Sequence, residues 1–211
     1  MKKFLNNLKA IFSNNYVIRS TNLMVLASAL FLSRFGQELL GSVRANFFID
    51  TLGLTGGQVL WLEGIREIPG LILMFIAALM MHIPLSKRAA FSLLITGVGY
   101  GLYAFTHSYT ALLAVAVAAS LGLHMWMPLN NSLGMCLSPK NQTGQVLGML
   151  ASIGALGGLI GMGALSLFSR VTAAWEIPLG ASSLVGGAFV LMAALLISRL
   201  PTDVGVTEPE P

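Results

Sequence analysis

Six ionisable residues sit inside long apolar stretches of this sequence: Arg34, Glu38 and Arg44 in one, Glu63, Arg66 and Glu67 in the next. A charge at the centre of a bilayer costs at least about 2.5–3.5 kcal/mol on insertion scales, so such groups face a bundle interior or a water-filled cavity. Their spacing sets their depth. At a helical rise of about 1.5 Å per residue, Arg34 lies about 15 Å and Glu38 about 9 Å along the helix from Arg44. Counted from Gln58, Glu67 lies about 13 Å and Glu63 about 7 Å along the second stretch. Arg34 is expected level with Glu67, and Glu38 level with Glu63 and Arg66. Arg34/Glu38 and Glu63/Glu67 are i,i+4 pairs, each on one helix face. Two carboxylates one turn apart repel, and a bound proton relieves the repulsion, which is the chemistry of a proton carrier. Arg34, Glu38 and Glu67 are therefore candidates for a substrate cavity or for coupling. Arg44, Glu63 and Arg66 fit a charge network that locks two helices together.

A later apolar stretch carries His124, Pro128, Asn130 and Asn131. His124 and Asn130 join the cavity candidates, although a single histidine in an apolar helix also serves as a packed, hydrogen-bonded residue. The following stretch is rich in glycine. Gly154/Gly158 and Gly157/Gly161 are GxxxG pairs, which allow close helix approach. No phosphate-binding loop, GxGxxG or HExxH occurs. Cys136 is the single cysteine, which excludes an internal disulfide and a multi-cysteine metal site. No catalysis, cofactor or metal is implied. The +4 net charge carries no patterned basic tract that would suggest nucleic acid.

The elements that hold these residues follow from composition. Of the 211 residues, 55% are hydrophobic and 9% charged, and the mean hydropathy is +0.80. A soluble domain carries about 25% charged residues, so lipid is the solvent of most of this chain. About 20 apolar residues cross a bilayer as a helix. Six stretches qualify: Leu23–Phe48, Gln58–Met81, Ala89–Phe105, Ala111–Leu137, Val146–Phe168 and Ile177–Ile197. Gly53/Gly56/Gly57, His82-Ile83-Pro84, Thr106-His107-Ser108, Ser138-Pro139-Lys140-Asn141 and Trp175-Glu176-Ile177-Pro178 mark the turns. The expected class is an all-α integral membrane protein with a six-helix bundle over residues 21–200. Residues 1–20 read as a basic cytoplasmic arm, and 201–211 as a polar, Pro-rich linker or tail. Lys2, Lys3, Lys9, Arg19, Lys87, Arg88, Lys140 and Arg199 fall on one side if six spans alternate, so both termini are expected in the cytoplasm.

The chain resembles the N-terminal half of a major facilitator superfamily transporter. The resemblance rests on Asn46-Phe-Phe-Ile-Asp-Thr-Leu-Gly-Leu-Thr55 and on the helix-five run Gly144-Gln-Val-Leu-Gly-Met-Leu-Ala-Ser-Ile-Gly-Ala-Leu-Gly-Gly158; of the family's charged cluster in the loop between helices two and three, only Lys87 and Arg88 are present. It implies a 3+3 inverted repeat, with helices one and four lining a cavity, two and five meeting another half, and three and six outside. It implies alternating-access transport of a small solute, for which the charge spacing offers Glu38 or Glu67 as a proton carrier, with the coupling ion left open. The expected partners are the bilayer, the solute, protons and a second six-helix half, either downstream in a longer chain or in a second copy. The expected location is a cell membrane, bacterial inner membrane by preference. The competing reading is a non-transporting multi-pass protein, receptor-like or an assembly subunit, whose charges only hold helices together.

Overall fold

The computed structural model describes residue 17, residues 20–174 and residues 180–205. All regular elements among them are helical: α1 Thr21–Asn46, α2 Gly56–Arg66, α3 Ile68–Leu79, α4 Leu85–Leu102, α5 Tyr109–Cys136, α6 Thr143–Ala174 and α7 Ala181–Ile197. The segments Thr21–Gly41, Tyr109–Cys136 and Thr143–Leu167 are long and apolar enough to cross a membrane, and α7 is apolar but shorter. Most of the N-terminal arm, the turn at Trp175–Pro178 and the tail at 206–211 lie outside the described residues.

The stretch expected as one helix from Gln58 to Met81 is two helices, α2 and α3, separated at Glu67. Pro69 causes the break. It has no N–H to give the carbonyl of Ile65, and its ring crowds the preceding turn. Glu67 N–H turns back to the carbonyls of Gly64 and Ile65, and Gly70 N–H bonds the Glu67 carbonyl at 3.0 Å. The Arg66 carbonyl is taken by Ser120 Oγ, which donates to it at 2.6 Å. In lipid, a freed backbone group is tolerated when a neighbouring hydroxyl satisfies it. Ser120 thus pins the break to α5. The N-terminal end of α2 is fixed by a capping box. Gln58 N–H donates to Thr55 Oγ1 at 3.3 Å, and Thr55 N–H donates to Gln58 Oε1 at 2.9 Å. Tyr109 Oη then donates to the Gln58 carbonyl at 3.3 Å, tying the same end to the start of α5.

Several boundaries differ from expectation: α6 runs from Thr143 to Ala174 where Val146–Phe168 was expected, and two further differences move residues named above. Lys87 and Arg88 do not lie in a loop, because α4 begins at Leu85 and takes them into its first turns. Pro84, with φ −52°, stands where the helix starts and its missing N–H costs nothing. The tail does not leave the bundle at Pro201. Ser86 Oγ donates to the Pro201 carbonyl at 3.0 Å, Leu200 is buried, and Val204 packs on the core.

Small residues set the packing. α1 crosses α6 at Gly157 and Gly161, where an added Cβ would lie 2.5 Å from the Phe31 carbonyl oxygen and 2.7 Å from that of Phe35. α1 crosses α7 where Gly36 and Gly186 meet backbone to backbone, and Phe35 and Phe189 pack edge to face at 4.6 Å beside them. α4 packs against α7 and α5, and α3 against α5. The lateral order is α6, α1, α7, α4, α5, with α2 and α3 beside α5. Packing of this kind suits lipid, where close van der Waals contact drives helix association. The outer surface is apolar to match. Leu71 is 77% exposed, Leu79 75% and Leu195 64%.

Candidate functional site

Between α1, α5 and α6 opens a cavity of about 880 Å³. Small-ligand sites span roughly 300–1,000 Å³ and combine apolar walls with a few convergent polar groups. The walls here are Leu30, Leu123, Trp126, Met127, Leu147, Leu150 and Leu159. The polar groups are Arg34, Gln37, Glu38, Glu67, His124, Asn130 and Asn131. All five candidates from the sequence, Arg34, Glu38, Glu67, His124 and Asn130, line this one cavity. Gln37 was missed. It lies three residues after Arg34 and one before Glu38, and an uncharged amide gave no depth argument.

Arg34 and Glu38 are held on one face of α1 by α6. An added Cβ at Gly154 would lie 3.6 Å from Arg34 Cγ, and one at Gly158 would lie 3.4 Å from Glu38 Cγ. These two glycines clear space for the charged stems, while Gly157 and Gly161 bring the backbones together. All four face α1. Arg34 is exposed to the cavity and makes no ion pair among the described residues.

Glu67, expected level with Arg34, shares its cavity and makes its close contacts elsewhere. Glu67 Oε1 lies 3.2 Å from Arg66 Nη2, and its Oε2 lies 3.2 Å from His124 Nε2. The reason is the break at Pro69, which leaves Glu67 between helices and turns it toward α5. A chain of alternating charge results. Arg44 Nη2 is 3.0 Å from Glu63 Oε1, and Arg66 Nη2 is 2.9 Å from Glu63 Oε2. Arg66 thus stands between Glu63 and Glu67, so the repulsion expected between those carboxylates is offset by a shared cation. Arg44, Glu63 and Arg66 stand on the outer side of this chain. Glu67 and His124 are the two members that reach the cavity.

His124 sits on Gly70, where an added Cβ would meet its ring at 3.2–3.3 Å. Its approach to Glu67 is close enough for an ion pair but poorly aligned. Nε2 is buried and has no hydrogen-bond partner among the described residues. The imidazole edge is therefore under-satisfied at the cavity wall. Neither Gly70 nor Ser120 was singled out in the sequence. The Ile68-Pro69-Gly70 run was a breaker signal that could have located the hinge. Ser120 in an apolar helix carries no such mark.

Asn130 follows Pro128 inside α5. Its Nδ2 donates to the carbonyls of Trp126 and Met127, both at 2.9 Å. That amide stiffens the turn around the proline, and its carbonyl oxygen remains for the cavity. Among the described residues no three His, Cys, Asp or Glu side chains converge as metal ligands. The chemistry on offer is capture of an anionic or polar group at Arg34 and proton exchange at Glu67 and His124.

No family model matches this chain, and no curated protein matches it either.

Proposed function

We propose that the chain is a six-helix half of a secondary transporter of the major facilitator type, moving a small solute by alternating access. The observation that carries this reading is the polar cavity. Its charged and amide side chains are drawn from α1, α5 and the α2–α3 break, inside a bundle with an apolar exterior. A purely structural charge network has no need of an unpaired arginine open to an 880 Å³ space. The packing pattern adds support. Exchange α1 with α5, α2–α3 with α6, and α4 with α7. The contact α1–α7 then becomes α5–α4, α1–α6 becomes α5–α3, and α4–α7 maps onto itself. This is the relation a 3+3 inverted repeat requires. In this reading both termini are cytoplasmic, and a second six-helix body closes the cavity opposite α1 and α5.

Arg34 binds an anionic or polar group of the solute. Glu67 carries the proton with His124, and Glu38 is the second carboxylate of the cavity. The test is a thermal-shift screen of purified protein against small organic acids, phosphates and neutral polyols. An anion that stabilises the wild type and not Arg34→Gln supports the reading. A stabilising anion that Arg34→Gln retains in full refutes the role of Arg34. In proteoliposomes, with whatever second half completes the protein, Glu67→Gln and Glu38→Gln then separate binding from pH-driven uptake. Unchanged pH dependence in both variants makes the carboxylates structural and favours the non-transporting reading.

A further inference from the structure

A second cavity, of about 570 Å³, lies between α3 and α5 and shares no lining residue with the first. Its walls include Gly70, Met74 and Ala77 of α3, Met80 just beyond it, and Pro128 and Leu129 of α5, and Arg88 of α4 lines it as well. We propose that this groove binds one anionic phospholipid, with the phosphate at Arg88 and one acyl chain along α3 and α5.

Three observations identify that occupant. The first is the length of the groove. From Gly70 to Met80 is ten residues of sequence, about 15 Å at a helical rise. That is half of a hydrocarbon core about 30 Å thick, the depth of one leaflet. The second is Arg88. Its Nε is buried without a hydrogen-bond partner, and it makes no ion pair among the described residues. A buried guanidinium nitrogen left unmet is costly, and a phosphate oxygen is the acceptor that suits it best. Lys87, exposed beside it, adds a second cation for the same headgroup. The third is chemical polarity along the groove. The cation is at one end, and the wall beyond it is thioether and hydrocarbon, the pattern of an amphiphile with an anionic head. Basic residues between helices on the cytoplasmic side are a recognised setting for anionic lipid heads. The proposal rests on the bilayer placement of the chain and not on transport, so its failure leaves the transport reading untouched.

The test uses the full chain purified in neutral detergent and two photoreactive lipids, phosphatidylglycerol and phosphatidylcholine, with the same diazirine-bearing acyl chain. Adducts are mapped by mass spectrometry. Phosphatidylglycerol adducts are expected on α3 and α5 around Met74 and Leu129. Near an anionic lipid one cation changes retention about fivefold. Phosphatidylcholine should therefore label the groove about fivefold less, Arg88→Gln should lower phosphatidylglycerol labelling by a similar factor, and Arg88→Lys should retain most of it. Ala77→Phe fills the groove and leaves Arg88 in place, so it should abolish groove adducts even if Arg88→Gln fails to fold. Equal groove labelling by both lipids overturns the proposal. So does labelling that survives Ala77→Phe.

Discussion

Replacing Gly157 with alanine adds one methyl group at the closest approach of α1 and α6. The new Cβ would stand 2.5 Å from the Phe31 carbonyl oxygen, 3.0 Å from its Cα and 3.1 Å from its carbonyl carbon. All three are backbone atoms, so no rotamer change relieves the clash. Weak C–H···O contacts settle at about 3.3 Å or more, so the helices must separate by about 0.8 Å. Over-packing of this kind costs about 1–3 kcal/mol. Alanine also gains up to about 1 kcal/mol over glycine in a helix interior. Gly163 isolates that gain, because it lies in the same helix and an added Cβ there meets nothing within 4 Å. Gly163→Ala should therefore be stabilising, and Gly157→Ala should fall below it by about 1–3 kcal/mol, the over-packing term alone. The assay is equilibrium unfolding in mixed micelles on a rising SDS fraction, followed by far-UV circular dichroism. Equal midpoints for the two variants would refute the close crossing and with it the role assigned to the glycine pairs.

Ser120→Ala removes the donor to the Arg66 carbonyl and should destabilise by about 1–3 kcal/mol, the cost of a buried acceptor left unmet, read in the same unfolding assay; Ser120→Thr should recover most of the loss. Arg66→Gln should destabilise more than Arg44→Gln, because Arg66 is shared by Glu63 and Glu67 while Arg44 serves Glu63 alone. A second substitution, Glu67→Gln, should partly rescue Arg66→Gln, and a strictly additive double mutant would show that the two side chains do not interact. For topology, Asp203→Cys in a Cys136→Ser background should resist an impermeant thiol reagent in intact cells, whereas Asp50→Cys should react; the opposite pattern reverses the bundle in the membrane.

The helices were legible because composition and length leave few alternatives in lipid. α5, for example, ends at Cys136, one residue from the limit read at Leu137. Part of the cavity lining was legible too. A charge inside an apolar stretch has few places to go, and of the six such charges Arg34, Glu38 and Glu67 line one space; His124 and Asn130, singled out as polar groups in a later apolar stretch, line it with them. What the sequence left open was the pairing. Depth along a straight helix put Arg34 level with Glu67 and named no partner for either, and the count assumed an unbroken ladder through Ile68-Pro69-Gly70. Once that ladder breaks, Glu67 turns to His124, a partner 57 positions along the chain that no local pattern announces. The same limit hid Ser120. Its function is defined by a carbonyl on another helix, and a hydroxyl in an apolar run looks identical whether it serves its own turn or a neighbour's.

The break between α2 and α3 also bears on how the chain is made. A segment with three ionisable side chains and an interrupted backbone ladder is a poor candidate to enter a bilayer alone. The hydroxyl that completes it belongs to a residue 54 positions later than Arg66. At roughly 5–20 residues per second of synthesis, that is roughly 3–10 s during which the ribosome has released the broken segment but not its missing donor. α1 is already there to shelter it, through Arg44 against Glu63, and α4 follows within that interval. The finished bundle conceals this order of assembly, in which a carbonyl made early waits for a hydroxyl made late.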